Sequence, residues 1–120
     1  SGTVGGTGDT DLSCKGASFG KWILIRYDNN LASTYGHLSL IKVTSGQRVN
    51  RGDIVGYSGN TGHSTAPHLH VSLYPSDAVE VSPKPSLACA GKTLSQPRAA
   101  INAYLDPLMY MPKTTPSMFK

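Results

Sequence analysis

Cysteine is scarce in this 120-residue chain: Cys14 and Cys89 are the only two. Neither belongs to a C-x-x-C pair, which argues against zinc held by thiolates. There is no apolar run near the ~20 residues that a membrane-spanning helix needs, and Ser1 opens neither a leader nor an initiator methionine. Charge is sparse as well. Charged residues make up 15% of the chain, with a net charge of +4. The lysines and arginines are scattered, without the cluster that marks a nucleic-acid surface, although the sign suits an anionic partner. By contrast, glycine (13) and proline (8) are frequent. With β-branched and aromatic residues in short runs, they argue for an all-β domain, a compact antiparallel sheet of the barrel or sandwich kind. The length suits one domain with a real core, over residues 1–112, followed by a frayed tail at 113–120. Two cysteines far apart are compatible with one disulfide in an exported protein. It would close a loop of roughly 75 residues, worth about 4 kcal/mol in the chain-entropy model. Two buried thiols in a cytosolic protein would read the same way.

The strands announce themselves in order. "SGTVGG" reads as a strand end, and "TGDTDLSCKGASFG" as a loop in which Asp9 and Asp11 are turn formers. The run from Trp22 to Tyr27 is a buried strand ending in the turn Asp28-Asn29-Asn30. "LASTYGHLSL" is the returning strand, whose alternation puts Ser33, Tyr35 and His37 on one face and Gly36 on the other. From Ile41 to Gly62, glycine-centred turns alternate with short strands, the rhythm of tight hairpins. The stretch 75–96 reads as a long surface loop. Ser95 as N-cap and Pro97 in the first turn suggest a short helix over 95–106.

The segment "STAPHLHVSL" carries the chemistry. Pro67 biases Ala66 to an extended conformation, so a strand starts here. His68, His70 and Ser72 then share one face, and Leu69, Val71 and Leu73 the other. Two imidazoles about 7 Å apart can converge on one ion or one reacting group, but surface histidines near a turn would look alike.

Taken together, Tyr35-Gly36-His37-Leu38, the glycine rhythm "GQRVNRGDIVGYSGNTGHSTAPHLH" and Pro67-His68-Leu69-His70 resemble the lysostaphin/LytM-type zinc metallopeptidases, family M23. The resemblance runs from Ser1 to about Tyr74. It implies an antiparallel β fold with a groove for the peptide stems or cross-bridges of peptidoglycan. It also implies zinc as cofactor and an extracytoplasmic location. Position by position, His70 corresponds to a zinc ligand, and His37 and His68 to the pair that handles the water and the developing oxyanion. Tyr35 is either an orienting or intermediate-contacting hydroxyl or a half-buried strand aromatic. His63, in the glycine turn, corresponds to no ligand and is a loop histidine that could touch substrate. Ala66 stands where the family usually has glycine.

In that family the other two zinc ligands, a histidine and an aspartate, precede the segment equivalent to "SGTV". The chain therefore reads as the C-terminal part of a catalytic domain, inactive as it stands. Two other readings remain: a catalytically inactive, regulatory or wall-binding module of the same fold, and a biotinyl or lipoyl carrier barrel. The carrier would need an exposed lysine at a hairpin tip, a setting that Lys42, Lys84 and Lys92 all lack.

Overall fold

The uninterrupted apolar run at Lys21–Tyr27 forms strand β2. Ile23 and Ile25 point to one face and Trp22 and Leu24 to the other, and all four are buried. A strand needs apolar residues at every position only when both its faces are covered, so β2 lies in the middle of a sheet. A computed structural model shows that sheet. It describes residues 1–12, 16, 18–62, 69–85 and 93–106.

Around β2 stand β1 (Gly2–Asp9) and β3 (Leu31–Ile41), both antiparallel to it. The short strand β4 (Arg48–Val49) pairs with β1. On its outer side β3 has two partners in succession. Leu31 to Gly36 pair with β6 (His70–Pro75), and Leu38 to Ile41 pair with β5 (Gly56–Ser58). The ladder forks at residue 37. As expected from the sequence, the architecture is an antiparallel all-β fold, and the helical turns among the described residues are short 3-10 segments. No helix among them is long and apolar enough to cross a membrane.

Two cores flank the sheet. One gathers Val4, Ile23, Ile25, Tyr35, Leu38, Val43, Val49 and Val55. The other joins Trp22, Leu24, Ala32, Tyr74 and Val79, with Phe19 and Ala99 packed against it. Asn30 closes the β2–β3 turn at φ +65°, a left-handed backbone that asparagine tolerates.

The C-terminal third corrects two sequence expectations. The stretch read as a surface loop, 75–96, contains a 3-10 turn (Ser76–Ala78) and strand β7 (Val79–Pro85). Strand β7 pairs antiparallel with β8 (Thr93–Ala99), which takes the place of the first half of the expected helix. Only a 3-10 turn, Ile101–Ala103, follows. The prolines that suggested a loop are compatible with this ribbon. Pro83, Pro85 and Pro97 fall in one alternating set of register pairs, so a single set of outward-pointing positions can absorb all the missing N–H groups. Capping chemistry at Ser95 and Pro97 yields to pairing with β7 and to the apolar face of the sheet, because tertiary burial outweighs local helix preference. The ribbon is tied down by Arg26, which donates to the carbonyls of Ser76 and Val79. Leu105 extends this cover by donating its N–H to the Leu73 carbonyl at 2.7 Å. Cys14 and Cys89 lie outside the described residues, as does the 113–120 tail.

Candidate functional site

Regular alternation along β3 would place His37 beside Tyr35, on the face opposite His70. That arrangement is overturned by a β-bulge. Lys21 pairs with Leu38 and Ile23 with Tyr35, so Gly36 and His37 together stand against Trp22. His37 adopts φ +58°. An extra residue in one strand re-aims the side chain that follows it, and here it swings His37 to the face of Gly36. The ladder partner of Gly36 is His70. The two imidazoles consequently meet edge to face, with ring centroids 5.8 Å apart.

A left-handed histidine costs roughly 1–2 kcal/mol of backbone strain, and several contacts hold it. The His37 N–H donates to the Phe19 carbonyl at 2.7 Å. Its Nδ1 lies 2.7 Å from the Thr61 carbonyl. A carbonyl only accepts, so Nδ1 carries the proton and the neutral ring keeps its lone pair on Nε2. Thr61 is itself anchored: its hydroxyl donates to the Leu38 carbonyl at 2.6 Å and accepts from the Lys21 N–H at 3.0 Å. His37 is 7% exposed, so this geometry is set inside the protein.

Two loops supply those contacts, and they touch backbone to backbone. Gly20 (φ +64°) and Gly62 (φ +74°) cross so closely that a Cβ at either would collide with the other loop. Asp11 steadies the crossing by accepting from the Gly62 N–H at 3.2 Å. Asp9 accepts from the Asp11 N–H at 3.0 Å and pairs with Lys21 at 3.1 Å. Both aspartates are turn and loop anchors, as the sequence suggested.

Phe19 forms a wall of the site. Its ring lies 5.3 Å from that of His70 and 6.5 Å from that of His37. It packs against Gly36, where a Cβ would come within 2.8 Å of the ring. That contact is the reason for a glycine in the Tyr-Gly-His run. Neither Phe19 nor Thr61 is singled out by the sequence. Thr61 stands in the glycine turn that the motif includes, whereas nothing local signals Phe19. On β6, the Nε2 of His70 shares a hydrogen bond of 2.9 Å with the Ser72 hydroxyl.

Tyr35 belongs elsewhere. It is 5% exposed, on the core face opposite the histidines. Its hydroxyl lies 3.0 Å from that of Tyr27, which in turn contacts the Ser33 hydroxyl at 2.6 Å. Burial pushes the Tyr27 phenol up, and the neighbouring Tyr35 adds in the same direction. The face that alternation would have Tyr35 share with His37 is lost to the bulge, and Tyr35 lies buried in the core. Replacing Tyr35 by phenylalanine should cost about 1 kcal/mol in urea melts, the worth of one hydrogen bond, and should change catalytic rate less than about threefold.

His63 and His68 lie outside the described residues. Among the described residues, no three histidine, cysteine, aspartate or glutamate side chains form a metal-binding group. His70, turned to the site and oriented by a hydroxyl, suits one position of a zinc ligand set.

The model of "Peptidase family M23" matches residues 1–83. The peptidoglycan DD-endopeptidase ShyA of Vibrio cholerae is 48% identical over 54 residues, 45% of this chain and 13% of that protein. The DD-carboxypeptidase/endopeptidase Mpg of Neisseria meningitidis is 34% identical over 96 residues, 74% of this chain and 22% of its own length. The chain thus spans less than a quarter of either relative. Among solved structures, the lysostaphin catalytic domain from Staphylococcus simulans superposes with a TM-score of 0.57 at 25% identity, over 90% of this chain and 65% of that one. The catalytic domain of a point mutant of the prophage-encoded M23 protein EnpA from Enterococcus faecalis gives 0.54 at 32% identity, over 62% and 53%. With a family model matched over more than half its length and a histidine pair assembled on the matched strands, the chain belongs to peptidase family M23.

Proposed function

We propose that this chain is part of a zinc-dependent endopeptidase that hydrolyses peptide bonds in peptidoglycan. The observation that carries the reading is the bulge at His37, which pays backbone strain to bring an imidazole of defined tautomer beside His70. A fold freed from chemistry has no reason to retain such a device. His70 is one zinc ligand, with Ser72 orienting its ring. When bound, zinc polarises the scissile carbonyl and brings the pKa of its water to about 7.

His37, held through Nδ1, presents Nε2 as a proton acceptor and returns that proton to the leaving amine. His68, two residues before His70 in the chain, is the partner of His37 in handling the oxyanion. Phe19 excludes water from one side of the pair. ShyA is named a peptidoglycan DD-endopeptidase and Mpg a DD-carboxypeptidase/endopeptidase, and a net charge of +4 suits an anionic wall. An extracytoplasmic location follows from that substrate, and a Cys14–Cys89 disulfide is compatible with it.

The test is digestion of purified peptidoglycan by the full-length protein. Soluble muropeptides should appear, vanish after chelation and return with stoichiometric zinc. Zinc-replete protein that leaves peptidoglycan intact but sediments with it would replace this reading with that of a wall-binding module.

A further inference from the structure

Phe19 also lines a cavity of about 300 Å³. Its walls come from two sources: Ser18 and Phe19 from the loop that holds His37, and Gln96, Arg98 and Tyr104 from the C-terminal ribbon and its continuation. Residues 96–104 lie beyond the stretch that matches the family model. Phe19 is common to the cavity and to the histidine pair, so whatever fills the cavity stands one ring away from the reacting centre.

The polar groups lining the cavity are mostly donors. Gln96 is 6% exposed. Its Oε1 accepts from the Ser18 hydroxyl, which leaves the two N–H groups of the amide for another acceptor. Arg98 spends one Nη on the Pro83 carbonyl at 2.8 Å. Its ladder partner is Glu80, yet the described ion pairs are Lys21–Asp9 and Arg48–Asp28, and Arg98 is in neither. Four guanidinium N–H groups remain, in the fork that fits a carboxylate. Gln96 and the exposed Arg98 both line the cavity, so their N–H groups are offered to an acceptor that enters it.

We infer that this cavity is a substrate subsite that binds a carboxylate of the peptide through Gln96 and Arg98. The subsite rests on the endopeptidase reading for its place beside the chemistry. The carboxylate has two possible sources in a peptide, the free C-terminus or an acidic side chain. The Ser18–Gln96 bond does a second thing: it braces the loop, left-handed at Ser18 (φ +56°), whose next residue anchors His37.

The experiment measures affinity calorimetrically, without hydrolysis, with the synthetic peptide Ala-Glu-Lys-Ala-Ala and two neutralised forms. One form is amidated at the C-terminus, and the other has glutamine in place of glutamate. The parent should bind the acidic peptide about fivefold or more tightly than one of the two forms, which identifies the source of the carboxylate. Arg98→Gln should erase that difference. Gln96→Glu keeps an acceptor for Ser18 but replaces the N–H donors with negative charge. It should weaken binding of the acidic peptide about tenfold or more and leave the discriminating neutral form unchanged. Equal affinity of the parent for all three peptides, or equal weakening of all by Gln96→Glu, overturns the subsite. Failure to digest peptidoglycan with discrimination intact would instead remove the endopeptidase reading.

Discussion

Replacing His37 by alanine in the full-length protein is expected to lower turnover on purified peptidoglycan by about a hundredfold or more, with zinc content unchanged. The ring meets the site through Nε2 only because Nδ1 is committed to the Thr61 carbonyl, so no neighbouring group takes its place when it is removed. His70→Ala should behave differently. It removes a metal donor, and both zinc and hydrolysis should be lost. His68→Ala should follow His37→Ala, and His63→Ala should do neither. Zinc content by elemental analysis and release of soluble muropeptides separate these patterns. If His37→Ala loses zinc together with activity, the histidine is a ligand and its proton-transfer role is wrong.

The second large effect concerns stability. Gly20→Ala should cost about 3 kcal/mol in urea unfolding, the sum of a left-handed alanine and a backbone collision. At φ +64°, a Cβ would run into the Gly62 and Thr61 backbone, and the structure can relieve this only by separating the two loops. Those loops deliver both hydrogen bonds that hold His37. Catalysis should therefore fall even where the variant remains folded. Gly46→Ala is the control. Its φ of +88° is equally unfavourable, but nothing lies within 4 Å of the added carbon. A loss of only about 1 kcal/mol is expected there, with activity retained. Equal losses at the two positions would show that backbone strain alone, without the crossing of the loops, accounts for the effect.

Much of this protein is legible in its sequence, because the relevant signals are local. The apolar run Trp22 to Tyr27 reads as a buried strand, and Asp28-Asn29-Asn30 as the tight turn that follows it. Tyr-Gly-His and Pro-His-Leu-His, in that order and spacing, pointed to a peptidase family before any coordinates did. The carboxylates of Asp9 and Asp11 were readable as turn anchors for the same local reason.

Tertiary structure decided what depends on pairing. Period-two alternation placed His37 with Tyr35, and the bulge opposite Trp22 reversed that, since register is a property of two strands and is not written in either one. The prolines between residues 75 and 97 read as a loop because their tolerance in a ribbon depends on which positions point outward, a question answered only by the partner strand. Phe19 and Thr61, which place and orient the histidine, come from loops that meet only because Gly20 and Gly62 allow their backbones to touch. The sequence alone named the candidate residue types. Their positions relative to one another were set by strand register and loop crossing, which bring together side chains far apart along the chain.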